Sequence, residues 1–176
     1  SSVFGAELFI LPDNCNTLPT TRPLAGTDAV KGLLERGRPS LTQGLGGRVF
    51  AVGEFFREVF SHYPKIEQYV EIYHPDLQGP LDICELMWGE ELFYAMSDEP
   101  ELVSGLMQLI TDTYLHFMER WQALVPPRDD ICCHWDNLMH RGQIVLRNDS
   151  AMNLSPEFYN TFARAFDAQL MKRYGG

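Results

Sequence analysis

Tyr69-Val70-Glu71-Ile72-Tyr73, His74-Pro75-Asp76-Leu77-Gln78-Gly79 and Pro80-Leu81-Asp82 follow one another as a β-rich run, a polar loop and a proline at the first position of a helix that Gly89 should end. The same strand, loop, helix order recurs downstream. Gln143 to Arg147 (QIVLR) reads as a strand, Asn148 to Asn153 as its loop, and Ser155-Pro156-Glu157 as the cap of a last helix reaching about Arg173. Upstream, Ala6 to Leu11 reads as a short strand with a turn at Pro12-Asp13-Asn14, and Asp28 to Arg36 as a helix between a Thr27 cap and a Gly37 stop. Val49, Val52, Phe55, Phe56, Val59 and Phe60 recur at three- and four-residue spacing, which predicts an amphipathic helix from about Leu45 to His62, ended by Pro64. After Asp98-Glu99-Pro100 comes the longest apolar stripe, Leu102 to Trp121, and Ile131 to Trp135 is expected to be extended.

Strands alternating with helices long enough to cross over predict an α/β fold, with parallel strands and outer helices in a single domain over 1–176. Three or four strands are too few for a closed eight-stranded barrel, which takes about 250 residues. The expectation is therefore an open sheet or a central segment of a (β/α)8 barrel. The opening Ser1-Ser2-Val3-Phe4-Gly5 and a close at Tyr174-Gly175-Gly176, just past a helix, read as a piece of something longer.

Composition narrows the function classes. With 24 acidic against 14 basic residues the formal net charge is -10, and no basic run offers a seat for a phosphate backbone, so nucleic acid is not an expected partner. No apolar stretch reaches the roughly 20 residues of a membrane span, and no secretory leader opens the chain, so a soluble, cytoplasmic protein is expected. Cys15, Cys84, Cys132 and Cys133 read as reduced thiols.

In α/β folds the polar groups at strand C-terminal ends are the ones offered to a ligand. The loop after the run ending at Tyr73 supplies His74, Asp76 and Gln78. The loop after QIVLR supplies Arg147, Asp149, Ser150 and Asn153, where a guanidinium and a carboxylate could clamp a substrate acid or hold a proton donor. A plain Arg147 to Asp149 salt link is the competing account. Cys132-Cys133-His134 with His140 has zinc-type side chains but lacks CxxC spacing, so no metal site is assigned within the chain. Gly44 to Arg48 lacks both the Gly-Lys-Ser/Thr of a phosphate loop and a third dinucleotide-type glycine, and reads as the start of a helix. Met107, Tyr114, Met118 and Trp121 read as core.

Taken in order, Gln78-Gly79-Pro80, Asp98-Glu99-Pro100-Glu101-Leu102-Val103, Gly142 to Asp149 and Leu154-Ser155-Pro156-Glu157-Phe158-Tyr159 resemble the middle of the uroporphyrinogen decarboxylase superfamily, from about Tyr69 to Gly176. The resemblance implies a (β/α)8 barrel with its site at the strand ends. It also implies one of two activities, the cofactor-free decarboxylation of a tetrapyrrole or zinc-dependent methyl transfer from a corrinoid protein to a thiol. The decarboxylases' arginine-rich motif and pyrrole-holding aspartate would precede Ser1, and their late histidine and the methyltransferases' zinc ligands would follow Gly176. Zinc is thus a cofactor of the full-length methyltransferase reading only. Glu85-Leu86 stands where the decarboxylases carry a tyrosine and Asp149 where they carry a serine, which points to a relative with a different substrate.

The expectation is therefore a decarboxylase-like lyase acting on a small molecule. Asp149, His74 and Asp76 are its candidate catalytic groups, and Arg147, Gln78, Ser150 and Asn153 bind substrate. A corrinoid:thiol methyltransferase and a non-catalytic binding protein are the alternatives; the resemblance implies a homodimer, and open strand edges of a partial barrel would be prone to association.

Overall fold

A computed structural model describes residues 1–15, 20–134 and 138–175. The chain is mainly helical. In order, its elements are β1 (Leu8–Phe9), β2 (Thr20–Thr21), α1 (Gly26–Arg36), α2 (Gly46–His62), α3 (Pro64–Tyr69), α4 (Pro80–Trp88), α5 (Glu91–Asp98), α6 (Pro100–Leu124), β3 (Ile131–His134), β4 (Leu138–Arg141), α7 (Pro156–Phe162) and α8 (Arg164–Tyr174), with 3-10 turns at Ser2–Phe4 and Asp149–Asn153.

The 25-residue α6 is the axis of the structure. Its first half buries Val103, Leu106, Met107 and Ile110 against Val30 and Leu33 of α1, Leu81, Cys84 and Met87 of α4, Leu92 of α5 and Phe162 of α7. Its second half buries Tyr114, Phe117, Met118 and Trp121 against Leu170 and Tyr174 of α8 and the loop residues Leu41 and Ile144. The methionine and aromatic stripe is thus core, as its helical spacing predicts. Gly53 brings α2 close to this half: a Cβ there would stand 2.9 Å from the Trp121 ring. Phe50 then tilts onto Phe117 at 5.2 Å, and Phe117 stacks on Trp121 at 6.4 Å between centroids.

The expected α/β arrangement, with parallel strands forming part of a barrel, is overturned. Among the described residues the sheets are two antiparallel pairs, β1 with β2 and β3 with β4. The run at 69–73 splits between the end of α3 and an irregular stretch, and QIVLR is also irregular. Apolar alternation failed as a guide because helices, not neighbouring strands, bury these runs. Ile72, Leu77, Ile144 and Leu146 pack on the second half of α6 and on α8. Among the described residues the two segments meet through a backbone bond from Gly79 N, past the end of the first run, to Arg147 O at 2.7 Å, where a parallel ladder would need a repeating series.

Helix boundaries followed local chemistry more faithfully. Pro80 and Gly89 bracket α4, and Gly37, with φ 72°, ends α1. Ser155 caps α7 through the Phe158 N–H, at 3.2 Å. α2 runs Gly46–His62 and ends ahead of Pro64, as expected, and Pro64 then opens the unanticipated α3. Two further differences appear: a separate α5 precedes α6, and the last helix breaks at Ala163. Thr27 lies inside α1, which Ala25 precedes as a residue with no side-chain cap. The extended reading holds over Ile131–His134, while its last residue, Trp135, and the terminal Gly176 lie outside the described residues. No helix among those residues is long and apolar enough to cross a membrane.

Candidate functional site

The two loops singled out in the sequence meet, without a sheet to align them. Gly79 makes the approach possible. Its N–H donates to Arg147 O at 2.7 Å, and a Cβ at this position would collide with the Asn148 side chain and lie 2.6 Å from Arg147 O. Any side chain would push the loops apart, so glycine here serves a close backbone approach.

A carboxylate clamp fixes the second loop. Asp82 occupies the first turn of α4, where an acid is favoured by the helix dipole. It is buried, and instead of capping its own helix it accepts from Asp149 N at 3.1 Å and from Ser150 N at 2.9 Å, one oxygen to each. The Ser150 hydroxyl donates to Glu85, one turn further along α4. On the other side, Asn148 donates to Asp167 of α8 at 2.7 Å, and the Tyr159 hydroxyl donates to the same carboxylate oxygen at 2.9 Å. Burial raises the Asp167 pKa above the usual carboxylate range despite these two donors, with the Asp82 charge acting in the same direction.

Between the loops lies Arg147. Its guanidinium meets Asp76 at 2.7 Å and Asp149 at 3.5 Å. The salt link proposed as the bland account of Arg147 therefore exists, but its shorter arm reaches Asp76, 71 residues away in sequence, so it joins the two loops. The other oxygen of Asp76 faces the imidazole of His134 on β3 at 3.9 Å.

Six of the seven expected site residues line two concavities, and Arg147 lines neither. The larger, about 800 Å³, lies between α2 and the 72–76 loop. Leu45, Val49, Val52, Phe56, Ile72 and Trp121 give it an apolar lining, and Arg48, His74, Asp76 and His134 give it a polar end. The smaller, about 230 Å³, holds Gln78, Asp149, Ser150 and Asn153 with Asp82, Glu85 and Leu86. Asp149 is thus turned away from the larger cleft, its side chain 76% exposed.

His74 takes a different part from the one expected of it. Its residue is 7% exposed, and its Nδ1 lies 2.6 Å from Pro75 O, which assigns the proton to Nδ1 and leaves Nε2 as a lone pair. That Nε2 is buried without a hydrogen-bond partner among the described residues. Burial lowers the His74 pKa, and the neighbouring His140 and His134 add to the effect. A neutral, enclosed imidazole cannot readily exchange a proton with a substrate in the cleft. His134, beside Asp76 and lining the cleft, is better placed to do so. The sequence reading grouped His134 only with the zinc-type residues and passed over Arg48, whose one signal was a cation in the amphipathic helix beside the glycines.

The β3–β4 register sets Cys132 opposite His140 and Cys133 opposite Met139. Alternation therefore separates the two thiols onto opposite faces of the hairpin. Burial raises the Cys132 pKa, which disfavours a thiolate at this position. Among the described residues no three His, Cys, Asp or Glu side chains are grouped so that they could hold a metal ion. No protein-family model, curated protein or solved structure matches the chain.

Proposed function

We propose that the larger cleft is the substrate site of a decarboxylase-like lyase acting on a small molecule with an apolar body and a carboxylate. One observation carries the reading: Asp76 sits at the polar end of an otherwise apolar cleft, held by Arg147 at 2.7 Å on one side and facing His134 at 3.9 Å on the other. The volume suits a substrate of ordinary metabolite size, which pockets of about 300–1,000 Å³ accept. The sequence resemblance to the uroporphyrinogen decarboxylase superfamily supports the same reaction class independently of any barrel.

The chemistry assigns the groups. Losing carbon dioxide breaks a carbon–carbon bond, leaves its electron pair on the substrate carbon and calls for a proton there. His134 carries that proton, gives it to the carbon and recovers one from water. Asp76, fixed by Arg147, faces the imidazole and orients it. Arg48, at the cleft edge, pairs with a substrate carboxylate, and the apolar wall formed by Val49, Val52, Phe56 and Trp121 holds the rest of the molecule.

The test is release of carbon dioxide, followed by mass spectrometry, from uroporphyrinogen and from a series of aryl- and pyrrole-acetates. The wild-type protein should turn over at least one of them, and Asp76→Asn and His134→Gln should each lower turnover by about 100-fold while leaving substrate binding nearly unchanged. Binding without carbon dioxide release from any of them would overturn the lyase reading and leave a binding protein.

A further inference from the structure

Two oxygen atoms behind the second loop lack the partner that their burial calls for. Asp167 of α8 is 6% exposed, and its Oδ2 takes both nearby donors, the Asn148 amide at 2.7 Å and the Tyr159 hydroxyl at 2.9 Å. Its Oδ1 is enclosed with no hydrogen-bond partner among the described residues, and so is Oδ1 of Asn148. Both atoms are acceptors when Asp167 is ionised, so neither can satisfy the other, and each carries the full cost of its desolvation.

The asparagine cannot cure this by turning over. Its amide oxygen is the first atom that a Cβ on Gly79 would meet, so the side chain is packed against the entry to α4. Exchanging its oxygen and nitrogen would set a carbonyl against Asp167 Oδ2 and remove the 2.7 Å bond. A protonated carboxyl, by contrast, carries one O–H donor of its own.

We propose that Asp167 is held as the neutral acid, its Oδ1 proton donated to Asn148 Oδ1, and that this proton latches the loop carrying Arg147 to α8. The proton closes a ring of two hydrogen bonds, amide N–H to Oδ2 and acid O–H to amide oxygen, so that one proton satisfies both orphaned atoms. The surroundings favour it. Burial raises the Asp167 pKa and the Asp82 charge on α4 adds to this, while Tyr159 of α7 and Asn148 of the loop oppose it as donors, and no cation is among these groups. The first turn of α8 favours an anion, yet both donors sit on one oxygen and leave the other bare.

Loss of the proton sets an anion beside an amide oxygen. Asn148 follows Arg147, whose carbonyl accepts from Gly79 N at 2.7 Å and whose guanidinium braces Asp76, so release of the amide slackens the meeting of the two loops. Rising pH therefore loosens the site. The effect on the reaction rests on the substrate reading above, whereas the shared proton does not.

The carboxyl carbon-13 resonance of Asp167, followed from about pH 4 to about pH 8 in the whole chain, reads the proton without any assay of activity. Its midpoint should lie above the ordinary 3.8, and the Asn148 side-chain amide and the Gly79 N–H should shift with that same midpoint. Asp167→Asn keeps a donor and an acceptor in the acid's places but cannot titrate, so in this variant both signals should hold their acid-side positions across the range. Urea unfolding supplies a second reading. The folded chain holds the proton more tightly than the unfolded one, so the stability it contributes is complete below pH 3.8 and is lost as the pH rises through the folded midpoint. The loss is at most about ten-fold in the unfolding constant per pH unit, and Asp167→Asn should not show it. A midpoint at or below 3.8 overturns the inference, as does an Asn148 amide and Gly79 N–H indifferent to the Asp167 titration. So does an Asp167→Asn protein whose stability falls with pH as steeply as the wild type's. Should that variant fail to fold, the wild-type titration decides alone.

Discussion

Replacing Asp82 by Asn changes one atom and should cost more stability than any substitution among the exposed acids of the site. The carboxylate is 3% exposed, and its two oxygens accept the N–H groups of Asp149 and Ser150 at 3.1 and 2.9 Å. Hydrogen bonds to a charged group are worth about 1.5–3 kcal/mol each. Asparagine keeps one acceptor and sets its amide against the other N–H, so one bond is lost, the other loses its charge assistance, and two donors face each other. The sum is about 2–4 kcal/mol. For a chain of this size each kcal/mol moves the melting temperature by about 2–4 °C, so Asp82→Asn should melt about 5–10 °C below the wild type. Thermal and urea unfolding followed by circular dichroism measure the change, with Asp149→Ala as the comparison. That variant gives up only the 3.5 Å contact of a largely exposed carboxylate with Arg147, and should lie within about 0.5 kcal/mol of the wild type. If Asp82→Asn is no less stable than Asp149→Ala, the second loop is not held by this clamp, and the argument that the clamp positions Arg147 against Asp76 falls with it.

Two further outcomes follow from the same structure. Gly53→Ala should destabilise by about 1–3 kcal/mol in urea unfolding, because the added methyl would lie 2.9 Å from the Trp121 ring and 3.0 Å from Leu124, although alanine is the better helix former by up to about 1 kcal/mol; a more stable variant would show that α2 does not pack this closely. Burial lowers the His74 pKa from 6.5, so the unfolded chain binds the proton more readily: the stability owed to neutral His74 is complete above that pH and declines below it, by at most about 1.4 kcal/mol per pH unit. His74→Asn, which keeps a donor for Pro75 O but cannot titrate, should flatten that decline below about pH 6.5, and an unchanged slope would assign the acid sensitivity to other groups.

What could be read in the sequence was mostly local. Pro80 with Gly89, and Ser155 ahead of Pro156, marked helix limits because capping and proline geometry act within a few residues. The stripe on α6 was legible because its period is that of a buried helix. The strands at 69–73 and 143–147 were misread because alternation reports which residues are buried, not what buries them. Ile72, Ile144 and Leu146 are covered by helices that lie distant in sequence. The meeting of the two polar loops was anticipated, but from a sheet that does not form. Gly79 and Asp82 bring it about, by a close approach and a long-range clamp that neither spacing nor propensity encodes. His134 escaped notice as an acid–base candidate because its relation to Asp76 spans 58 positions and exists only once β3 folds back beside the first loop.

The placement of Arg48 and Arg147 bears on what the larger concavity accepts. The guanidinium of Arg147, already between Asp76 and Asp149, has little charge left for a third carboxylate, and the smaller concavity beyond it is lined by Asp82, Glu85 and Asp149, which repel one. Arg48 on α2 lines the larger cleft together with Asp76 and His134. On the proposed reading a substrate carboxylate would meet Arg48, with the rest of the molecule along Val49, Val52 and Trp121. One arginine in the cleft lining would suit a molecule with one or two carboxylates better than one carrying many. On the proposed reading Arg147 would act through Asp76, fixing that carboxylate at 2.7 Å so that its other oxygen faces the His134 imidazole at 3.9 Å.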